Sequence, residues 1–229
     1  MFTLIIETCT ERGLIAFLEG HKLLFLHEFP FGHNSSSYLL PAIQAGLSKL
    51  KIQASDLNQI ICGRGPGSYT GIRIGAICAK TLAYACQIPL IGVSSLQGFT
   101  PANHHAVFSA IIDAKIGGFY VQTGRMQENK ISWKPPQMCT YANVSEALAL
   151  SEVLVTPSGT QLQTKILQAI PTLQIELIER HPSWEALYSA GLEEVSAGHI
   201  SHNAHLDLLY LRKTQAEIEK QSQQSPQEF

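Results

Sequence analysis

The chain has 229 residues, 45% of them hydrophobic and 15% charged, with sixteen Lys and Arg against eighteen Asp and Glu for a formal charge of -2. That balance supplies a folded core and excludes a disordered chain. It also lacks the basic surplus that holds nucleic acid by charge alone. No apolar run approaches the ~18 residues of a membrane-spanning helix. The start at Met1 has no basic segment and meets Glu7 early, so it does not read as a signal peptide. Five scattered cysteines without a C-x-x-C pair read as small hydrophobes in a reducing compartment. The expectation is a cytoplasmic, non-membrane protein.

Phe2 to Glu7, Gly13 to Leu18 and Lys22 to Glu28 are short apolar or alternating runs bounded by turn residues, which predicts an antiparallel meander. A helix is expected from about Ser35 to Leu50, where Leu39, Ile43, Leu47 and Leu50 share one face. Pro41 fits that helix only in its first turn or at a kink. Gln59 to Cys62 reads as a buried strand, Tyr69 to Ala85 as a helix, and Leu90 to Val93 as a strand after Pro89. Ser94-Ser95 is placed to cap a further helix. Three strands leading into β-α units predict a mixed sheet covered by helices.

Composition puts a boundary near Pro101 to His105. Beyond it, Ala106 to Asp113 and Phe119 to Gly124 form a second strand pair. Helices are expected near Asn143 to Leu150, Gln161 to Ile170 and Ser183 to Ala197, with a strand at Val153 to Val155. The division is residues 1–103 as a first lobe, 104–214 as a second, smaller lobe, and a polar tail from Gln215 over 215–229. No internal repeat is evident at solenoid periods.

The segment Gly63 to Gly71 is the most informative. A glycine-rich turn between strand and helix can aim backbone N–H groups at an anion, with Arg64 and Arg73 assisting. Neither a P-loop nor a complete G-x-G-x-x-G is present. Ser68 fits a helix N-cap better than a nucleophile elbow, since Pro66 and Thr70 replace the flanking glycines. Gly67, Gly71, Gly75, Ala79 and Ala83 recur every four residues and make a ridge of small side chains. Such a ridge admits another backbone at close range, either this protein's own sheet or a partner helix. His199, His202 and His205 are spaced by three, with no ligand set to complete a metal site. Glu7 and Asp113 each end a strand before a hydroxyl or glycine turn, and Lys115 follows closely.

Gly63 to Gly75 resembles the signature of the TsaB (YeaZ) family of tRNA threonylcarbamoyladenosine biosynthesis proteins. Glu7-Thr8-Cys9-Thr10, His33 followed by Leu39-Leu40-Pro41, and Ile88 to Leu96 are similar to further family stretches. So are Asp113-Ala114-Lys115 with Tyr120, and Tyr210-Leu211-Arg212. The resemblance implies an actin-like, ribonuclease-H-like (ASKHA) α/β fold in two lobes. It also implies a non-catalytic accessory subunit that binds and orders a TsaD-type transferase as a heterodimer. A TsaE-type ATPase joins the larger complex, TsaC makes the activated donor, and tRNA is met only through the assembly. For the chain alone, monomer and homodimer are both left open.

The interface implied by the resemblance is Leu39, Ile43 and Leu47 on one helix with Gly71, Ile72, Gly75, Ala79 and Ala83 on the next. ATP or ADP contact, if made, falls to Glu7, Thr8, Thr10, Gly65, Gly67, Ser68 and Asp113; no metal or catalytic residue is assigned. Three departures from the family pattern argue against hydrolysis. Glu7 replaces Asp, Asn34-Ser35 replace Ser-Glu, and Gly118 replaces Glu. The catalytic relative's His-x-x-x-His pair is also missing. A stand-alone actin-like ATPase or kinase, and a peptidase that processes its partner, are the rival readings. On the scaffold reading, a bulky residue at Gly75 abolishes partner binding in a folded monomer.

Overall fold

A computed structural model describes residues 1–32, 35–115, 117–128, 130–170 and 175–212. Strand β1 (Phe2–Glu7) carries the unbroken run Leu4-Ile5-Ile6, all fully buried, as a strand covered on both faces must. It pairs antiparallel with β2 (Leu14–Glu19), Leu4 opposite Phe17, and β2 pairs antiparallel with β3 (Lys22–Glu28). On its other side β1 runs parallel to β4 (Leu57–Gly63), and β4 runs parallel to β5 (Leu90–Val93). The first sheet is ordered β3-β2-β1-β4-β5.

Helices α1 (Ser35–Leu50) and α2 (Tyr69–Cys86) pack on one face of this sheet, where Leu39, Ile43, Ala76, Ala79 and Ala83 join Leu4, Ile6 and Ile60 in one core. Pro41 lies on the exposed side of α1, beyond the first turn, and the helix continues through it. His33 and Asn34 lie outside the described residues, as does the tail from Gln215. Ser94-Ser95 opens a single 3-10 turn, Ser95–Gly98, where the sequence suggests a longer helix.

The second sheet starts with β6 (Val107–Asp113) antiparallel to β7 (Gly118–Gln127), which pairs antiparallel with β8 (Lys130–Trp133). Strand β9 (Gln137–Thr140) also pairs with β7. After α3 (Val144–Leu148), β10 (Val153–Thr156) runs parallel to β6. Helix α4 (Gly159–Ala169) then leads to β11 (Glu176–Glu179), parallel to β10. The order is β11-β10-β6-β7-β8. With β9 set aside and counting from its own first strand, that is the arrangement of the first sheet, with the same parallel and antiparallel pairs.

Helix α5 (Trp184–Ser196) returns to the first sheet. Leu187, Tyr188 and Ala190 fill its second face against Ile5, Leu14, Ile61 and Val93. The first lobe is therefore built from two separate stretches of chain, where composition suggested one ending at residue 103. Among the described residues, no helix is long and apolar enough to cross a membrane.

Candidate functional site

The glycine segment lies where β4 hands over to α2. Ser68 is the N-cap, its hydroxyl accepting from the Gly71 amide at 3.3 Å, and this fixes its role. The ridge meets the chain's own β1–β2 loop. A Cβ on Gly67 would overlap the Cys9 carbonyl oxygen, one on Gly71 the Thr8 carbonyl oxygen, and one on Gly75 the Thr8 hydroxyl. Thr8 Oγ1 donates to the Gly71 carbonyl at 2.8 Å, and the Ser68 amide donates to the Cys9 carbonyl at 2.6 Å. Small residues are needed at these positions because the β1–β2 loop comes unusually near, with its backbone at Gly67 and Gly71 and the Thr8 side chain at Gly75, and that loop is internal.

The residues expected at a partner interface consequently point inward. Leu39, Ile43, Gly71, Ile72, Gly75, Ala79 and Ala83 are buried, and Leu47 is half-buried against the same core. One step around α2, Thr70, Arg73, Ile77, Thr81 and Tyr84 face solvent at helical spacing. Ile77 is 65% exposed and Tyr84 71%, with Leu40 on α1 at 65%. At the start of α2, the Arg73 guanidinium lies 4.0 Å from the Tyr69 ring centroid and donates to the hydroxyls of Tyr69 and Tyr210.

Of the residues assigned to an anion, only some meet. A cleft of about 630 Å³ between the two sheets is lined by Gly67 and Ser68 from the first lobe and Asp113 from the second. Residues Leu209 to Arg212 form another wall. The Leu209 amide donates to the Arg64 carbonyl at 2.8 Å, and Arg212 Nη1 donates to the Ala114 carbonyl at 3.3 Å. Glu7, Thr8, Thr10 and Gly65 do not line this cleft. Thr10 donates to the Arg12 carbonyl at 2.7 Å, and the Gly65 amide donates to the Ser95 hydroxyl at 3.2 Å.

Glu7 is fully buried, its Oε1 accepting from the Cys9 amide at 2.6 Å, in space left by the missing side chain of Gly63. Burial pushes its carboxyl above the usual carboxylate range, partly offset by the Cys9 amide. A carboxyl sealed under a loop cannot reach a metal in the cleft.

The acids that do reach the cleft already hold cations. Asp113 Oδ2 pairs with Lys165 Nζ at 2.5 Å, and Glu11 Oε1 with Lys115 Nζ at 2.5 Å. The hydrogen bond to Asp113 raises the Lys165 pKa and fixes its charge. Where a metal–nucleotide site needs open carboxylates, these lysines occupy them, so the residues present do not fit a magnesium ion. Burial, with the Glu7 charge second, also pushes the Cys9 and Cys62 thiols far up, so neither is a ready thiolate nucleophile.

The three late histidines do not gather. His199 pairs with Glu194 and His205 with Asp207 on an irregular stretch, and no metal-type cluster of three occurs among the described residues. Sequence reasoning missed Glu11 and Lys165, whose partners lie 104 and 52 residues away, beyond any local pattern.

Two sheets of one strand order with a cleft between them define the actin-like, ribonuclease-H-like class. The family described as TsaD, tRNA N6-adenosine threonylcarbamoyltransferase, matches residues 31–198. The tRNA threonylcarbamoyladenosine biosynthesis protein TsaB of Bacillus subtilis is 35% identical over 122 residues, which cover 52% of this chain and 53% of that protein. Its Escherichia coli namesake is 35% identical over 136 residues, 57% of this chain and 58% of that one. The matched region spans little more than half the length of these curated relatives. YeaZ from Pseudomonas aeruginosa superposes with a TM-score of 0.78 over 92% of this chain and 99% of that one, at 22% identity, a likeness of fold. The chain belongs to the TsaD family, in its TsaB (YeaZ) group.

Proposed function

We propose that this chain is a non-catalytic subunit in threonylcarbamoyladenosine biosynthesis, where it binds and orders a TsaD-type transferase. The reading rests first on the outer stripe of α2 and α1, where Ile77, Tyr84 and Leu40 leave large apolar groups in water while the inward faces are filled. The relatives' names supply the process, and the TsaD match supplies the partner's kind: a subunit of the same fold can present matching helices across a pseudo-twofold axis. A TsaE-type ATPase joins the larger assembly, tRNA is met only there, and the same stripe accounts for a homodimer in the partner's absence.

The cleft chemistry favours an accessory role over a stand-alone ATPase or kinase. Asp113 and Glu11 are neutralised by lysines, so no metal-assisted phosphoryl transfer is assigned. Contacts to ATP or ADP fall to Gly67, Ser68 and Asp113, which line the cleft. The peptidase reading lacks a nucleophile, since the Ser68 hydroxyl caps α2 and Cys9 is sealed. Sedimentation of the chain alone and with the TsaD-type subunit of the same cell tests the proposal. A stable heterodimer is expected; absence of any complex, with and without nucleotide, would overturn it.

A further inference from the structure

Arg64 belongs to the glycine motif, yet its side chain turns away from the Ser68 cleft. Its stem lies across Gly92, where an added Cβ would sit 3.1 Å from Arg64 Cδ. Arg64 lines a second and larger cleft, about 1180 Å³, also bounded by both lobes, and a smaller one beside Gly92 and Leu206. Arg64 Nε is closed off from water and has no acceptor among the described residues. The neighbouring polar groups are already engaged: the Ser94 hydroxyl donates to Gln122 Oε1 at 2.7 Å, and Gln122 Nε2 donates to the Lys134 carbonyl at 3.0 Å. A buried donor on a charged group that lacks an acceptor is costly, so a ligand that supplies one gains more there than on open surface.

The rest of the cleft narrows the choice of ligand. Nε and one Nη of an arginine form a planar fork that matches a carboxylate. Lys130 and Lys134 line the larger cleft with Glu128, Glu193 and Glu194, so that with Arg64 the charges balance, which suits a single carboxylate better than a phosphate dianion. Strand β8 also lines it. This strand ends the second sheet among the described residues, so its outer edge offers backbone donors and acceptors to an extended chain. Trp133, held edge-on to Phe108 with centroids 5.2 Å apart, adds an aromatic wall beside Pro135.

We infer that this cleft is a docking site for the C-terminal end of a partner polypeptide, with the terminal carboxylate on Arg64 and the preceding residues extended along β8. The site is separate from the α1–α2 face, so it stands or falls independently of transferase binding.

The test uses the whole unmodified chain and follows arginine Nε–H resonances by NMR during titration. The probes are N-acetylated tetra-alanine as the free acid, the same peptide as its C-terminal amide, and acetate. The Arg64 resonance, assigned by its loss in Arg64→Met, should shift saturably with the free acid. Binding should be about tenfold or more tighter than for the amide. Backbone amides of Lys130 to Trp133 should shift with it. Equal binding of acid and amide, or no response to either, overturns the assignment. An equal response to acetate shows an anion site only and overturns the peptide occupant. Arg64→Met keeps the stem on Gly92; should it fail to fold, the wild-type comparison of acid, amide and acetate decides alone.

Discussion

Gly71 and Gly75 separate two meanings of a small-residue ridge. Their spacing alone fits a partner helix or an internal backbone equally, and the Thr8 carbonyl and hydroxyl decide for the internal one. Gly75→Leu should therefore lower stability by about 2 kcal/mol or more in denaturant titration, because the added side chain overlaps the Thr8 hydroxyl, which is held on the Gly71 carbonyl. An unchanged midpoint would contradict that packing. Ser68→Ala removes only the cap and should cost about 1 kcal/mol. Glu7 makes a pH prediction of definite sign. Its folded pKa lies above the ordinary 4.5, so folding favours the protonated form. Its contribution is most favourable below the ordinary value and declines as pH rises through the raised one. Glu7→Gln keeps an acceptor for the Cys9 amide, so it should be at least as stable as the parent at neutral pH and lose stability relative to it in acid. Denaturant midpoints across pH check this.

Among the elements, α1 and α2 show what could be read in advance. Leu39, Ile43 and the Gly71/Gly75/Ala79 row each mark one helical face, and each face is real. Periodicity says that a face is covered but not by what; the family resemblance implies a partner there, and these residues lie in the core. The informative residues are the out-of-phase ones, Ile77 and Tyr84, apolar where the pattern calls for polar. Ile77→Glu should leave the melting temperature nearly unchanged, as surface substitutions do. A drop of many degrees would show Ile77 to be structural. Strands β8, β9 and β11 were harder to see. Each is four residues long with exposed positions, as in Lys-Ile-Ser-Trp, and is defined by its neighbour in the sheet.

Across the whole molecule, the lobes repeat one strand order without a visible sequence repeat, because each strand needs only a generic apolar pattern. Leu96 and Phe99 pack on the second sheet, and beside them the lobes are joined by long-range polar contacts that local spacing cannot signal. Arg12 crosses from the β1–β2 loop to the second lobe, where Nε donates to the Pro157 carbonyl at 2.8 Å, Nη1 meets His181 Nε2 at 2.9 Å, and Nη2 pairs with Glu179. Lys115 makes a second crossing to Glu11. Arg12→Ala should speed hydrogen exchange around Thr156 and Arg180 while the first sheet keeps its protection, since local openings fall below the global limit. Uniform acceleration would mean global destabilisation instead.

We propose that the outer stripe of α2, and not the small-residue ridge beneath it, meets the transferase subunit. Sedimentation of Ile77→Glu mixed with that subunit tests it most directly. The expected result is a folded protein that sediments alone, beside a wild-type chain that forms the heterodimer. A full heterodimer from Ile77→Glu would contradict it.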